Sequence, residues 1–204
     1  GDVSAPYSIN LVQGLVNAGV QLDSTVLAAY ESWCTASVND PDPGFWGHWP
    51  RYYAEMPVKQ DWVQAAAKRC QTAVVVIGRS AGEDRENTLK KGSFYLTNKE
   101  KALLDAVTTA FQKVVLVLNI GSIMDFAEID AYGDKISAIL LAWQLGMESG
   151  NAVADVLTGQ VNPSGRLTDT IAKTYADYPA QNFGNKAENR YTEDIFVGYR
   201  YFET

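Results

Sequence analysis

The sequence predicts an α/β fold, a three-layer sandwich in which a mostly parallel sheet carries helices on both faces. Two runs of apolar, largely β-branched residues, at 73–77 and 114–118, are typical of strands buried on both faces of a parallel sheet. A third apolar run covers residues 136–143. Segments with helical periodicity separate these runs, and such alternation favours parallel strands joined by right-handed crossovers.

The first helix is predicted to begin at Asp2 or Ser4, with Pro6 in its first turn, and to end at Gly19. Its apolar residues share one helical face: Ile9, Val12, Leu15 and Val16. A doubly wound sheet normally starts with a strand, but none precedes this helix. We therefore expect an upstream strand to be missing.

Residues 20–22 are a candidate short strand, and Ser24 is the predicted N-cap of a second helix that runs to about residue 36. A third helix is predicted from residue 58 to about residue 69, immediately before the strand at 73–77. The connection at 37–57 fits neither a helical nor a strand period.

That irregular connection is rich in aromatic residues, among them Trp46 and Trp49. The apolar face of a sugar ring packs well on an indole, so these rings are candidate sugar contacts. They would equally serve to cap the end of a hydrophobic core. The sequence leaves both interpretations open.

The second half of the chain has clearer helix signals. Thr97 and Glu100 form a capping box at the start of a fourth helix. The strand at 114–118 ends in a turn at 119–122 that could present polar groups. A further helix is predicted from residue 146 to residue 157 and ends at Gly159. Residues 167–171 are the last candidate strand.

Composition excludes several classes of protein. A net charge of −7 without any basic run argues against nucleic acid or an anionic membrane as a partner. No apolar run reaches the ~20 residues that span a bilayer. Cys34, Cys70 and the single His48 lack metal-ligand spacing, so we expect no metal and no cofactor. The phosphate-binding glycine motifs are also absent from the sequence, and the single histidine lies in the irregular connection at 37–57, which argues against a serine hydrolase.

A polar loop follows the strand at 73–77 directly. Ligands of open α/β sheets bind outside the carboxyl ends of the strands, so a Gly82-Glu83 step there would direct a carboxylate over a cleft. Glu83 is thus a candidate half of an acid/base pair whose other half is not evident in this chain. Alternatively, the four residues from Glu83 to Glu86 form a solvated turn in which the charges pair with one another.

Five segments in order carry a family resemblance: residues 74–85, 115–121, 140–157, 159–167 and 191–201. They resemble the carboxyl-terminal α/β sandwich domain of glycoside hydrolase family 3, chiefly bacterial β-glucosidases. The resemblance covers most of the chain and is weakest over residues 37–57. It implies part of a retaining β-glucosidase that removes terminal β-linked glucose.

The resemblance also implies residue roles. Glu83 matches the general acid/base glutamate of the family, and Glu86 is the second candidate because Asp84 stands where a glycine is usual. The aspartate nucleophile of the family lies in a Ser-Asp-Trp context, which is absent here. It is therefore expected on an N-terminal barrel domain of the same parent chain. Asp84 and Arg85, with Trp46 and Trp49, are the candidate substrate contacts.

The expected partners are that barrel domain and a glucoside or oligosaccharide substrate. Residues 1–190 are predicted to form the α/β domain, and residues 191–204 a tail toward a following domain. The apolar run near the end of the sequence has little left to pack on, so we expect this chain to be a piece of a longer protein. The alternative function is a non-catalytic scaffold or sugar-binding module of a larger glycosidase.

Overall fold

The computed structural model describes residues 5–36, 50, 52–80, 87–180 and 187–202. Within these residues the three strands of one parallel sheet lie in the order β1, β2, β3. The strands are Thr72–Arg79, Lys113–Ile120 and Ala138–Leu141. The prediction of an α/β fold with a parallel sheet is confirmed.

Helices precede, connect and follow the strands. They are α1 Leu11–Asn17, α2 Ser24–Thr35, α3 Gln60–Ala67, α4 Asn98–Ala110, α5 Ala127–Asp130, α6 Ser149–Thr158 and α7 Tyr199–Phe202. Two 3₁₀ turns lie at Gly133–Lys135 and Tyr175–Asp177. The capping box predicted at Thr97 and Glu100 is present at the start of α4.

The main core lies between the sheet and helices α3 and α4. Val63 of α3 and Leu104 of α4 pack there against alternate residues of β1 and β2. Leu104, Leu116 and Leu118 are completely buried. Since full burial of a side chain of this size stabilises a fold by about 1.5 to 3 kcal/mol, this layer dominates the stability of the domain.

Helices α1 and α6 cover the opposite face of β2 and β3. Val117, Ala142 and Val153 form a second, smaller core there. On the same face of β1, Val74 and Val76 remain 39% and 42% exposed. The prediction that the strand at 73–77 is buried on both faces is therefore wrong for the part of the chain that the structure describes, because α1 and α6 lie over β2 and β3 instead.

Two helices begin at other residues than their sequence signals predicted: α1 begins later and α2 begins one residue earlier. Helix α1 begins at Leu11 rather than near Asp2 or Ser4, because the Asn10 carboxamide accepts a 2.9 Å hydrogen bond from the Gln13 amide. The Gln13 side chain accepts from the Asn10 amide in return. Helix α2 is capped by Asp23 and not by Ser24, since the Asp23 carboxylate accepts from two first-turn amides.

Three predicted strand limits are corrected. Residues 20–22 and 167–171 are irregular backbone and do not join the sheet. The third strand is shorter than 136–143 because a 3₁₀ turn precedes it and the amide of Ile136 closes that turn on Gly133. Beyond its end, Trp143 has a φ of 56°, which an extended strand cannot accommodate.

Helix α6 starts at Ser149 rather than at residue 146, and Gly159 ends it as predicted.

Helices α1 and α6 approach each other at two glycines. A Cβ atom on Gly14 would lie 2.0 Å from the carbonyl oxygen of Gly150, and one on Gly150 would lie 1.9 Å from that of Asn10. The Gly150 amide also donates a 2.8 Å hydrogen bond to the Ile9 carbonyl. This backbone contact holds the helix pair on the second face of the sheet.

We predict that Gly14→Ala destabilises the domain by about 3 kcal/mol, because the new methyl group collides with backbone that cannot rotate away. Urea-induced unfolding measures the change. Gly146→Ala is the matched control: a Cβ there meets nothing within 4 Å, so its free energy of unfolding should stay equal or rise by up to about 1 kcal/mol. Equal stability of the two variants would contradict the predicted close approach.

Candidate active site at the carboxyl edge of the sheet

The three parallel strands end at one edge of the sheet, at Arg79, Ile120 and Leu141. Open α/β sheets bind their ligands outside this edge. The loop that was singled out in the sequence follows β1 here.

The predicted site residues themselves lie outside the described residues. This holds for Glu83, Glu86, Asp84, Arg85, Trp46 and Trp49. The structure does describe the residues that flank both segments: Arg79, Ser80 and Asn87 around the loop, and Tyr52 after the aromatic stretch. The geometry of the site is therefore built from these flanking residues.

Arg79, the last residue of β1, forms a buried ion pair with Glu100 in the first turn of α4. Its two terminal nitrogens donate to the two carboxylate oxygens at 2.6 and 2.8 Å. The side chains are 4% and 5% exposed. Such bidentate geometry is the strongest form of an arginine–carboxylate pair and fixes the orientation of both groups.

The remaining donors of the Arg79 guanidinium also have acceptors. Nη1 donates to the Gly78 carbonyl at 2.8 Å, and Nε donates to the Ser93 carbonyl at 3.3 Å. The second hydrogen of Nη2 reaches the Tyr95 carbonyl at 3.5 Å. All five N–H groups of the side chain are thus directed at the strand end, the 88–97 turn or Glu100.

The Tyr52 ring packs against the Arg79 guanidinium. The guanidinium carbon of Arg79 lies 5.6 Å from the ring centroid, within the range of a cation–π contact. Gly92, at a φ of +81°, lies against the same ring, and a Cβ there would be 1.9 Å from a Tyr52 carbon. Tyr52 therefore needs a glycine at this point of the turn.

The far end of the loop is tied to the next strand connection. The Asn87 amide nitrogen donates to the Ile123 carbonyl at 2.6 Å, and the Asp125 backbone amide donates to the Phe94 carbonyl at 2.8 Å. The loops after β1 and β2 are thereby held together at the carboxyl edge. Asp125 is itself a buried acid at this edge.

A further link joins β2 to the connection after β3. The Asn119 side chain donates to the Trp143 carbonyl at 2.6 Å. A bulky residue at the positive φ of Trp143 carries backbone strain of about 1 to 3 kcal/mol, and such strain clusters at functional sites. The polar side chain of Asn119 in the 119–122 turn therefore forms a structural link between these two connections.

The end of the aromatic stretch is anchored on α2. The Tyr30 hydroxyl donates to the Glu55 carboxylate at 2.9 Å, and the Trp33 indole donates to the Ala54 carbonyl at 2.9 Å. Burial raises the pKa of Glu55, although the hydrogen bonds from Tyr30 and the Met56 amide act in the opposite direction. The negative charge of Glu100 adds to the increase.

The pairing of Arg79 with Glu100 was not predicted from the sequence. Glu100 was identified there only as part of a capping box, a role that it keeps by accepting from the Thr97 amide at 2.7 Å. The signal was the strand alternation: Val75, Ile77 and Arg79 fall on one face. An arginine on the buried face of a strand must be paired.

Among the described residues, no helix has the length and hydrophobicity of a membrane-spanning segment. Nor do the described histidine, cysteine and acidic side chains include a group of three that could hold a metal ion.

The fold and the edge define a class: an open, parallel α/β sandwich domain with polar loops at the ligand-binding edge. Residues 1–199 match the glycosyl hydrolase family 3 C-terminal domain. The chain belongs to glycoside hydrolase family 3, as the predicted resemblance indicated, and corresponds to its C-terminal domain.

Known members of the family agree with this assignment. The chain is 42% identical to a β-glucosidase of Ruminococcus albus, over all of this chain and 21% of that protein. It is similar in structure to a β-glucosidase from Paenibacillus barengoltzii, with a TM-score of 0.92 and 40% identity, covering all of this chain and 22% of that one. It is also similar to β-glucosidase 3B from Thermotoga neapolitana, solved in complex with glucose. That comparison gives a TM-score of 0.85 and 33% identity and covers all of this chain and 29% of that one. The chain thus spans less than a third of these relatives.

We predict that Glu55→Gln removes a pH dependence of stability. Because the pKa of Glu55 is raised on folding, its contribution to stability is complete below the unfolded pKa and is lost as the pH rises through the folded pKa. Glutamine keeps both acceptor contacts without a charge. In urea unfolding, the stability of the variant relative to the wild type should therefore increase as the pH rises above about 4, where the carboxyl group of the unfolded chain loses its proton.

Tyr30→Phe is the companion variant. It removes the donor that stabilises the Glu55 carboxylate, so it should steepen the loss of stability over the same pH interval. Parallel stability curves for wild type and Glu55→Gln would show that Glu55 does not titrate in this range.

Proposed function

We propose that this chain is the domain of a retaining β-glucosidase that supplies the general acid/base, Glu83. The observation that supports the proposal is the match to a family 3 C-terminal domain in which the described residues on either side of 81–86 are held at the carboxyl edge of the sheet: Arg79 pairs with Glu100, and Asn87 donates to the Ile123 carbonyl. We propose further that residues 1–190 form the domain and that residues 191–204 form a tail toward a following domain.

In this mechanism the active site is shared between two domains. An aspartate on the N-terminal barrel domain of the parent attacks the anomeric carbon, while Glu83 protonates the departing glycosidic oxygen. The glycosyl-enzyme is then hydrolysed by a water that Glu83, now a carboxylate, deprotonates. Retaining enzymes place the two carboxyl groups about 5 to 5.5 Å apart, so the barrel domain must reach over the carboxyl edge of this sheet.

Glu83 must hold a proton at the start of each cycle. Burial under substrate and the charge of the nucleophile would raise its pKa for this purpose. A direct ion pair with Arg85 would lower it instead. We therefore place the Arg85 guanidinium on Asp84, on a backbone group or on the barrel domain, and not on Glu83.

The proposed substrates are glucosides and β-linked oligosaccharides with a terminal glucose. Support comes from the relatives, which are named β-glucosidases, one of them solved in complex with glucose. Trp46 and Trp49 would contribute apolar surface to the sugar, and Asp84 and Arg85 would contribute hydrogen bonds.

We predict that Glu83→Ala in the full-length parent lowers kcat for an aryl β-glucoside with an activated leaving group by roughly 10²- to 10⁴-fold. Azide should restore turnover and yield β-glucosyl azide, because it replaces the water that needs a base. Steady-state kinetics with and without azide, followed by product analysis, test this.

Two variants accompany that test. Glu86→Ala identifies the acid/base if Glu83→Ala has little effect and Glu86→Ala shows the azide response. Glu128→Ala is a matched control, since Glu128 is a solvent-exposed glutamate on α5 paired loosely with Lys101 at 3.5 Å. If neither Glu83 nor Glu86 responds, the domain is a scaffold or a sugar-binding module.

We also predict that the 204-residue chain alone does not hydrolyse aryl β-glucosides, because the nucleophile and most sugar contacts belong to another domain. The assay compares the purified chain with the full-length parent at equal molar concentration. Clear turnover by the isolated chain would contradict the shared active site.

A further inference from the structure

We propose that the buried Arg79–Glu100 ion pair is a positioning device for the acid/base, holding both ends of the 80–87 loop so that Glu83 reaches the glycosidic oxygen. Neither member of the pair is assigned a catalytic step. The inference rests on the proposed function of Glu83, and the experiment below separates the failure of one from the failure of the other.

Stability alone does not account for a charged pair at this point. Both side chains are almost fully buried, and removing two charges from water costs desolvation energy that their attraction only partly returns. Apolar side chains of similar volume in such sites are commonly as stabilising or more so. An apolar pair cannot make directional hydrogen bonds, so it cannot fix the orientation of the backbone groups around it.

The Arg79–Glu100 pair makes directional hydrogen bonds to the backbone around it. The guanidinium donates to the strand end at Gly78 and to the turn carbonyls of Ser93 and Tyr95. The Glu100 carboxylate accepts from the Thr97 amide at the start of α4. One planar unit therefore fixes the end of β1, the 88–97 turn and the first turn of α4 relative to one another.

Both ends of the loop are attached to that unit. Ser80 follows Arg79 in the chain, so the loop leaves the sheet at the residue that carries the guanidinium. At the other end, the Thr88 amide donates to the Ser93 hydroxyl at 3.0 Å, within the turn whose carbonyls Arg79 holds. The described residues on both sides of 81–86 are thus tied to this unit, and the Asn87 side chain adds a link to the Ile123 carbonyl.

The same unit contacts the end of the aromatic stretch. The Arg79 guanidinium lies over the Tyr52 ring, which also packs on Gly92 of the turn. Two segments that the sequence singled out independently, the acidic loop and the aromatic stretch, thus share one anchor. Loss of the anchor should disturb acid positioning first, because protonation demands accuracy below an ångström.

The test is a double substitution, Arg79→Met with Glu100→Leu, in the full-length parent. Removing both charges avoids an unpaired buried ion, so the fold should survive with a melting temperature near that of the wild type. kcat/KM is measured for an alkyl β-glucoside, which needs protonation of its leaving group, and for an activated aryl β-glucoside, which hardly needs it.

We expect the alkyl substrate to lose roughly 10²-fold in kcat/KM while the activated substrate loses less than about 10-fold. A purely structural pair would lower both by the same factor, and equal losses would overturn the inference. Arg79→Lys is the second variant: it keeps the charge but not the planar fork, so the same unequal loss should remain. Full activity of Arg79→Lys on both substrates would also overturn it.

Arg69→Met is the matched control, because Arg69 forms an ion pair of the same 2.6 Å length with Asp23. This pair links the residue after the C-cap of α3 to the N-cap of α2. The ratio of the two kcat/KM values should stay at the wild-type level in this variant. If Glu83→Ala lacks the azide response, the proposed function has failed. If Glu83→Ala responds but the double variant loses activity equally on both substrates, only the positioning role has failed.

Discussion

The parallel pairing of β1 with β2 is the constraint on which the rest of the domain depends. Eight consecutive residues pair in register, from Thr72 with Lys113 to Arg79 with Ile120. Alternation along both strands then sends every second side chain into the layer under α3 and α4. Because the pairing is parallel, both strands end at one edge, and this places the loops after them side by side. A shift of one residue would expose the core and bury the wrong set of side chains.

Most of this architecture was predictable because its signals are local. Apolar runs specify β1 and β2, and a capping box specifies the start of α4. Predictions failed where distant residues decide the outcome. Val74 and Val76 look as apolar as Val75, yet the helices that could cover them lie over β2 and β3. The extent of the third strand was likewise limited by a 3₁₀ turn before it and by the strained backbone of Trp143 after it.

The sequence predicts only a location for the site. The loop after β1 follows a strand that ends at the carboxyl edge of the sheet, and the role of Glu83 in that loop stays a prediction. The anchor of the loop was not predictable, because Arg79 and Glu100 are 21 residues apart and each has a local explanation. Asn87 and Ile123 are 36 residues apart and show no pattern at all. Such contacts follow from the register of the sheet, which the sequence does not state.

The pairing of Arg79 also has an electrostatic consequence for the proposed acid. A lone guanidinium at the base of the loop would stabilise the carboxylate of a nearby glutamate and so favour loss of its proton. Bidentate pairing with Glu100 largely neutralises that field while leaving the geometric restraint in place. A neutral anchor is therefore better suited than a free cation to hold a general acid that must stay protonated.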